Sequence, residues 1–232
     1  MQFILEISFV SLFVFLFCIF VFAKDDFILL RKNITLEQLF NISFIIYILG
    51  FLFARFFYVI EHVSTKYLDP FVLFLFPYFP GLSLSGGILA GIAYLLLILN
   101  KKRLPFLRVF DVFTISFLYA FSSGLPLFAV IEFFLTKHIP YISAIGTIIY
   151  FIWAIILTLL FTKNKLNDGS IGYLGISIFS LLFIFLRIGL RGSKFYFSFT
   201  PEDIILGFIW FFFFAMFFYQ QTTYQLPGKK KK

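Results

Sequence analysis

This sequence of 232 residues has a single cysteine and few charged residues. Its single cysteine, Cys18, excludes an intrachain disulfide, and with two histidines the chain has no Cys/His spacing typical of a metal site. Only 13% of the residues are charged, whereas 62% are hydrophobic, well above the ~45–50% of a soluble globular domain. The composition therefore excludes an ordinary water-soluble fold, and we expect neither a metal nor another cofactor.

Long hydrophobic runs take up most of the chain. A membrane helix needs about 20 predominantly apolar residues. Seven runs of about this length are present, at 3–23, 39–60, 84–100, 109–135, 140–162, 171–190 and 203–220. We therefore predict one all-α transmembrane domain with seven membrane-spanning helices, followed by a basic tail at 221–232.

The excess of positive charge indicates an orientation in the membrane. The net charge is +8, and cytoplasmic loops of membrane proteins collect Lys and Arg. With the N-terminus outside, the cytoplasmic segments hold 13 of the 19 basic residues and the opposite side holds the other 6. We therefore predict an N-out, C-in topology with a cytoplasmic tail, and we expect no binding of nucleic acid.

Three arginines lie at similar depth near the predicted outer surface. Charged side chains in or beside a membrane span are costly, so each is a candidate for function. Arg187 and Arg191 are four residues apart and share a helix face, and Arg55 is near the same surface in the second span. Guanidinium groups bind phosphate well, which predicts a lipid-phosphate site, although arginines at span ends also snorkel to the interface without other function.

The third span begins at the same predicted surface with small and hydroxyl-bearing residues. These are Ser83, Ser85, Gly86 and Gly87. The unpaired amides and dipole at a helix N-terminus favour an anion, so we include these residues in the predicted phosphate site. The spacing of Gly87 and Gly91 is equally typical of close helix packing.

Three side chains are candidates for acid–base catalysis. Glu132 and His138 fall at and after the outer end of the fourth span, and His62 follows the second span beside Glu61. Histidine and glutamate are common general acids and bases. A merely solvated role at the membrane surface is the alternative for each of them.

Six short segments, in order along most of the chain, resemble prolipoprotein diacylglyceryl transferases. They are KNITLEQLF, LFARFFYV, DPFVLF, PGLSLSGGILAG, KKRLPFLRVFD and FTPEDIILG. The resemblance implies a seven-helix protein of the bacterial inner membrane, N-out and C-in. It also implies transfer of diacylglyceryl from phosphatidylglycerol, or another anionic phospholipid, to the lipobox cysteine thiol in the signal peptide of a preprolipoprotein.

The resemblance also assigns positions within the site. Arg55 and Tyr58 match the family's Gly-Ala-Arg and following Tyr-Val, the pair Gly86-Gly87 matches its Ser-Phe-His-Gly-Gly element, and Arg187 takes the place of a family arginine. Three polar residues of the family are replaced here, a histidine by Ser85, an arginine by Leu125 and an asparagine by Phe128.

Three functions are compatible with the sequence. The first is diacylglyceryl transfer with a rearranged site. The second is a non-catalytic protein that binds an anionic lipid or a lipoprotein precursor. This alternative arises because polar residues of the family's site are replaced in this sequence. The third is a small transporter or channel, for which the sequence offers no run of polar residues along one helix face.

Overall fold

The structure, a computed structural model, describes residues 3–62, 81–137, 141–163, 166–190 and 200–224. Within these ranges the chain forms eight α-helices and no strand: α1 (Phe3–Ala23), α2 (Phe27–Arg31), α3 (Leu36–Glu61), α4 (Leu84–Lys101), α5 (Phe106–Thr136), α6 (Tyr141–Thr162), α7 (Ser170–Leu190) and α8 (Pro201–Tyr224). Seven of them are long and apolar enough to cross a membrane, and the short α2 is the exception. The predicted all-α fold with seven spans is confirmed, and the orientation stays a prediction.

Side-chain caps fix the starts of α2 and α3, the two helices that follow α1. The carboxylate of Asp26 accepts hydrogen bonds from the backbone N–H groups of Ile28 and Leu29, both at 3.0 Å, and so starts α2. The hydroxyl of Thr35 accepts from the N–H of Gln38 at 3.2 Å and starts α3. These are the residue types that favour helix starts, because their side chains satisfy amides that the helix leaves open.

Four helix pairs make the main contacts of the bundle. Helix α1 packs against α5, α3 against α4, α5 also against α6, and α7 against α8. Aromatic rings fill the centre, where the ring of Phe179 lies 4.9 Å from Phe121, 5.0 Å from Phe117 and 5.2 Å from Tyr150 between centroids. Lipid tails are as apolar as these side chains, so close packing rather than avoidance of water favours the association.

Polar side chains join the helices at the end of the bundle where α4 finishes and α5 begins. Arg108 donates to Asp26 at 2.8 Å and pairs with Asp168 at 3.3 Å. The fully buried carboxylate of Asp111 accepts from the backbone N–H groups of Gly169 at 2.7 Å and Gly172 at 2.6 Å, at the start of α7. These contacts fix α5 against α7 and leave the opposite end of the bundle for the candidate site.

Candidate functional site

A cavity of about 610 Å³ lies between α1, α3, α4 and α5. Its walls are mainly apolar, and its few polar side chains include Ser8, Ser83 and Thr114. Along α4 the lining extends from Leu84 to Leu95, which corresponds to about 16 Å at 1.5 Å per residue. The cavity therefore connects the start of α4 with the apolar middle of the bundle and has the shape and polarity to hold hydrocarbon chains.

The start of α4 is capped by a carboxylate from another helix. Ser83 precedes α4 but forms no side-chain cap with it. Instead, Oε1 of Glu202, in the first turn of α8, accepts hydrogen bonds from the backbone N–H groups of Leu84 at 2.7 Å and Ser85 at 3.4 Å. Helix N-termini attract anions, and the anion at this one is the protein's own Glu202.

Two serine hydroxyls connect this carboxylate with a second one. Ser83 Oγ lies 3.0 Å from Oε1 of Glu61 and 3.3 Å from Oε1 of Glu202, and 2.8 Å from Ser85 Oγ. Ser85 Oγ is 3.5 Å from Oε1 of Glu61. A hydroxyl has one proton to donate, so Ser83 serves one carboxylate at a time. We call Glu61, Ser83, Ser85 and Glu202 the serine–glutamate cluster.

Arg187, near the end of α7, compensates the charge on one side of this cluster. Its guanidinium forms an ion pair with Glu202, and its Nε lies 3.3 Å from Oδ1 of Asp203. Oδ2 of Asp203 in turn accepts hydrogen bonds from the backbone N–H and the hydroxyl of Thr200, at 2.9 and 2.8 Å. Glu202 and Asp203 are buried, and burial of charge is tolerated where it is paired and hydrogen-bonded.

Arg55 reaches the same end of the bundle through the segment that precedes α4. The side chain is buried, and its guanidinium donates to the carbonyl of Gly81 at 2.9 Å. Its Cζ also lies 5.8 Å from the centre of the Tyr58 ring. The Tyr58 ring in turn stacks on the ring of His62, with 4.3 Å between the two centroids. The ring of Tyr58 packs directly against Gly81. A Cβ on residue 81 would lie only 2.1 Å from Cζ of Tyr58, so a larger side chain does not fit there.

Gly86 and Gly87 allow α4 to approach α3 closely. A Cβ on Gly86 would lie 2.6 Å from Cβ of Phe57 and 2.8 Å from the carbonyl oxygen of Phe53. A Cβ on Gly87 would lie 3.3 Å from the carbonyl oxygen of Gly50. The packing role suggested by the glycine spacing is therefore visible here, and Gly87 also lines the cavity.

The structure brings part of the predicted site together. Ser83, Ser85 and Arg187 meet through Glu202, and Arg55 binds the backbone two residues before Ser83. The arginines contact carboxylates or a carbonyl group in these interactions, so their role toward a lipid phosphate stays a prediction.

The predicted acid–base residues are more dispersed. Oε2 of Glu132, on α5, accepts a hydrogen bond from Ser143 of α6 at 3.5 Å. His62 is exposed, and its Nδ1 lies 3.1 Å from the carbonyl oxygen of Tyr58. The other predicted site residues, His138 and Arg191, lie outside the described residues, as does 225–232 of the basic tail.

Three acidic residues of the site were not identified from the sequence. These are Glu61, Glu202 and Asp203, each at the end or start of a membrane-spanning helix. The rule that selected Arg187, that a charge beside a span is costly and therefore a functional candidate, applies equally to them. In the described part of the chain no group of three or more His, Cys, Asp or Glu side chains is arranged to hold a metal ion.

The chain matches a known protein family. A family model described as prolipoprotein diacylglyceryl transferase matches residues 4–125, more than half of the chain. The matched region contains α1 to α4 and much of α5, and therefore the four helices around the cavity. No curated protein sequence matches the chain. The match and the seven apolar helices together indicate a multi-pass membrane protein.

Proposed function

This chain belongs to the prolipoprotein diacylglyceryl transferase family, and we propose that it transfers a diacylglyceryl group from an anionic glycerophospholipid to a cysteine thiol. The preferred donor is phosphatidylglycerol, and the acceptor is the lipobox cysteine in the signal peptide of a preprolipoprotein. Both would meet at the outer side of the bacterial inner membrane.

The observation that carries this proposal is the position of the cavity. The cavity is about 610 Å³ in volume and mainly apolar, and it reaches along α4 from the middle of the bundle to Ser83 in the serine–glutamate cluster. A diacylglyceryl group has the same arrangement, with two hydrocarbon chains ending at a polar glyceryl carbon. Ligand sites in proteins are usually such apolar pockets with a few polar groups that fix orientation.

Side chains around Ser83, which lines one end of the cavity, include groups suited to the phosphate. Arg55 and Arg187 carry permanent positive charge and can form bidentate contacts with phosphate oxygens. The hydroxyls of Ser83 and Ser85 are further donors. We propose that these four side chains, with Tyr58, Gly86, Gly87 and Arg191, surround the phosphate and glyceryl backbone of the bound lipid.

Lipid binding without transfer is a second candidate function. Leu125 and Phe128 line the cavity, at positions where the resemblance places a polar arginine and asparagine. Glu202 also binds the start of α4 and pairs with Arg187. An incoming phosphate would have to displace Glu202 from these groups or contact Arg187 beside it. The loss of the two polar residues favours retention of a lipid over reaction of its headgroup.

Transfer can be measured directly with purified protein in nanodiscs that contain phosphatidylglycerol. We expect a synthetic lipobox peptide to gain a thioether-linked diacylglyceryl group, detected as a mass increase of the peptide. A peptide with serine in place of the cysteine should stay unmodified, because an alcohol is a much weaker nucleophile than a thiolate at neutral pH.

The same experiment separates the two candidate functions. Native mass spectrometry of the purified protein should show a retained anionic phospholipid under either of them. Retained lipid without a modified peptide would establish the binding function and contradict transfer. Loss of both signals would contradict both functions.

A further inference from the structure

Carboxylates at the cavity end of the bundle differ in how their charge is compensated. Glu202 pairs with Arg187 and accepts two helix amides, and Asp203 pairs with the same arginine and accepts from Thr200. In the described part of the chain, Glu61 accepts hydrogen bonds only from the hydroxyls of Ser83 and Ser85, and it forms no ion pair there. Its negative charge is therefore the least compensated of the three.

Exposure also distinguishes Glu61 from its neighbours. Glu202 and Asp203 are buried, whereas Glu61 is partly exposed at the end of α3. A general base must come within hydrogen-bonding distance of the group that it deprotonates. A peptide thiol that approaches from the membrane surface can reach Glu61 without displacing a helix cap or an ion pair.

A third property of Glu61 is its link to the cavity. Ser83, which hydrogen-bonds to Glu61, is part of the cavity lining. His62 contacts Tyr58, and Glu132 contacts Ser143 on α6. Glu61 itself belongs to the serine–glutamate cluster and hydrogen-bonds to a residue that lines the cavity, so it is placed to act where the glyceryl carbon would lie.

We infer that Glu61 is the general base that takes the proton from the acceptor cysteine thiol, an assignment that rests on the proposed transfer function. Cysteine thiols are mostly protonated at pH 7, and the thiolate is the nucleophile. In this role Ser83 orients the carboxylate by donating its one proton to Oε1, which leaves the hydroxyl of Ser85 to donate to the phosphate. Glu202, neutralised by Arg187, positions the two serines through the start of α4.

The step balances without any further reactant. Glu61 accepts the thiol proton as the sulfur forms a bond to the glyceryl carbon of the phospholipid. The bond between that carbon and the phosphate ester oxygen breaks, and its electron pair leaves with the phosphate. Protonated Glu61 then returns the proton to the departing phosphate monoester, so no oxidant, reductant or metal is consumed.

The test compares two variants. Glu61→Gln keeps the shape of the side chain but removes its negative charge and its ability to act as a base, whereas Glu61→Asp keeps a carboxylate. Full-length protein in phosphatidylglycerol nanodiscs is assayed for peptide modification. General bases contribute about 10²–10⁴-fold to rate, so we expect E61Q to lower kcat by at least about 100-fold. We expect E61D to retain measurable transfer.

Lipid retention and a matched variant complete the design. Phospholipid retained by E61Q in native mass spectrometry should equal that of the unchanged chain, because the base acts on the peptide and not on the lipid. Glu37→Gln serves as the control, since Glu37 is an exposed glutamate at the opposite end of the same helix. This control should transfer at the unchanged rate.

The outcomes distinguish this assignment from the proposed function. No transfer by the unchanged chain would overturn the proposed function and the assignment with it. Transfer by the unchanged chain and by E61Q at similar rates would overturn the assignment alone. The same conclusion follows if His62→Gln, and not E61Q, abolishes transfer, or if E61D is as inactive as E61Q while both retain lipid.

Discussion

Gly81 holds a backbone conformation that other residues adopt only with strain. Its φ is 145°, and a Cβ there would overlap the ring of Tyr58. Its carbonyl group also binds Arg55. We predict that Gly81→Ala lowers the free energy of unfolding by about 1–3 kcal/mol, which corresponds to a decrease in Tm of roughly 2–12 °C for a chain of this size.

Thermal unfolding in detergent checks this prediction against a second glycine. Gly207 lies in α8, and a Cβ there would have no heavy atom within 4 Å. Gly207→Ala should therefore not destabilise the protein, and we expect it to raise the free energy of unfolding by about 0.5–1 kcal/mol, because alanine favours a helix interior over glycine. Equal Tm values for the two variants would show that the contact between Gly81 and Tyr58 does not stabilise the site.

Individual residues of the site were predictable only where the sequence itself shows an unusual position. Arg187 and Ser85 could be selected, because a charge at a span end and a hydroxyl at a helix start are visible without a structure. Their common partner, Glu202, could not be assigned to them. Which helix lies beside the start of α4 depends on the packing of α8, and seven spans of similar hydrophobicity carry little information on neighbours.

Individual helices were easier to predict than their arrangement. Apolar length alone identifies the seven spans, because a bilayer requires about 20 apolar residues per helix. The cavity between α1, α3, α4 and α5 has no comparable signal. It exists because α1 contacts α5 and α3 contacts α4 more extensively than either pair contacts the other.

Helix α5 allows a direct test of whether this cavity holds the lipid. Ala120 lines the cavity, whereas Val130, on the same helix, is 52% exposed on the outside of the bundle. We predict that Ala120→Phe reduces retention of phosphatidylglycerol by about tenfold, equivalent to about 1.4 kcal/mol. The added ring would fill part of the cavity that the hydrocarbon chains of the lipid would otherwise occupy. Titration of lipid into delipidated protein, followed by native mass spectrometry, measures the change.

Val130→Phe is the matched control for Ala120→Phe. It adds the same ring where it faces lipid, and lipid retention should stay within about twofold of the unchanged chain, a difference of less than 0.5 kcal/mol. Both variants should elute as single species of unchanged size. Equal retention by both would place the bound lipid outside the cavity.

Two groups of polar contacts lie at opposite ends of the molecule, with its apolar middle between them. One group is the serine–glutamate cluster with Arg187, where α3 and α7 finish and α4 and α8 begin. The other joins Arg108 to Asp26 and Asp168 at the opposite end. Each group ties together helices that begin or finish at the same end of the bundle.

Orientation decides which of these two ends meets the acceptor peptide. The end with Arg108 is continuous with the basic segments counted as cytoplasmic, which hold 13 of the 19 Lys and Arg residues. The positive-inside rule therefore predicts that the serine–glutamate cluster faces the outer side. We expect alkaline phosphatase fused after Lys232 to be inactive and a green fluorescent protein at the same position to fluoresce, because both report a cytoplasmic C-terminus. Alkaline phosphatase fused after Lys137 should be active, and the reverse pattern would place the cluster in the cytoplasm, away from an acceptor that has crossed the membrane.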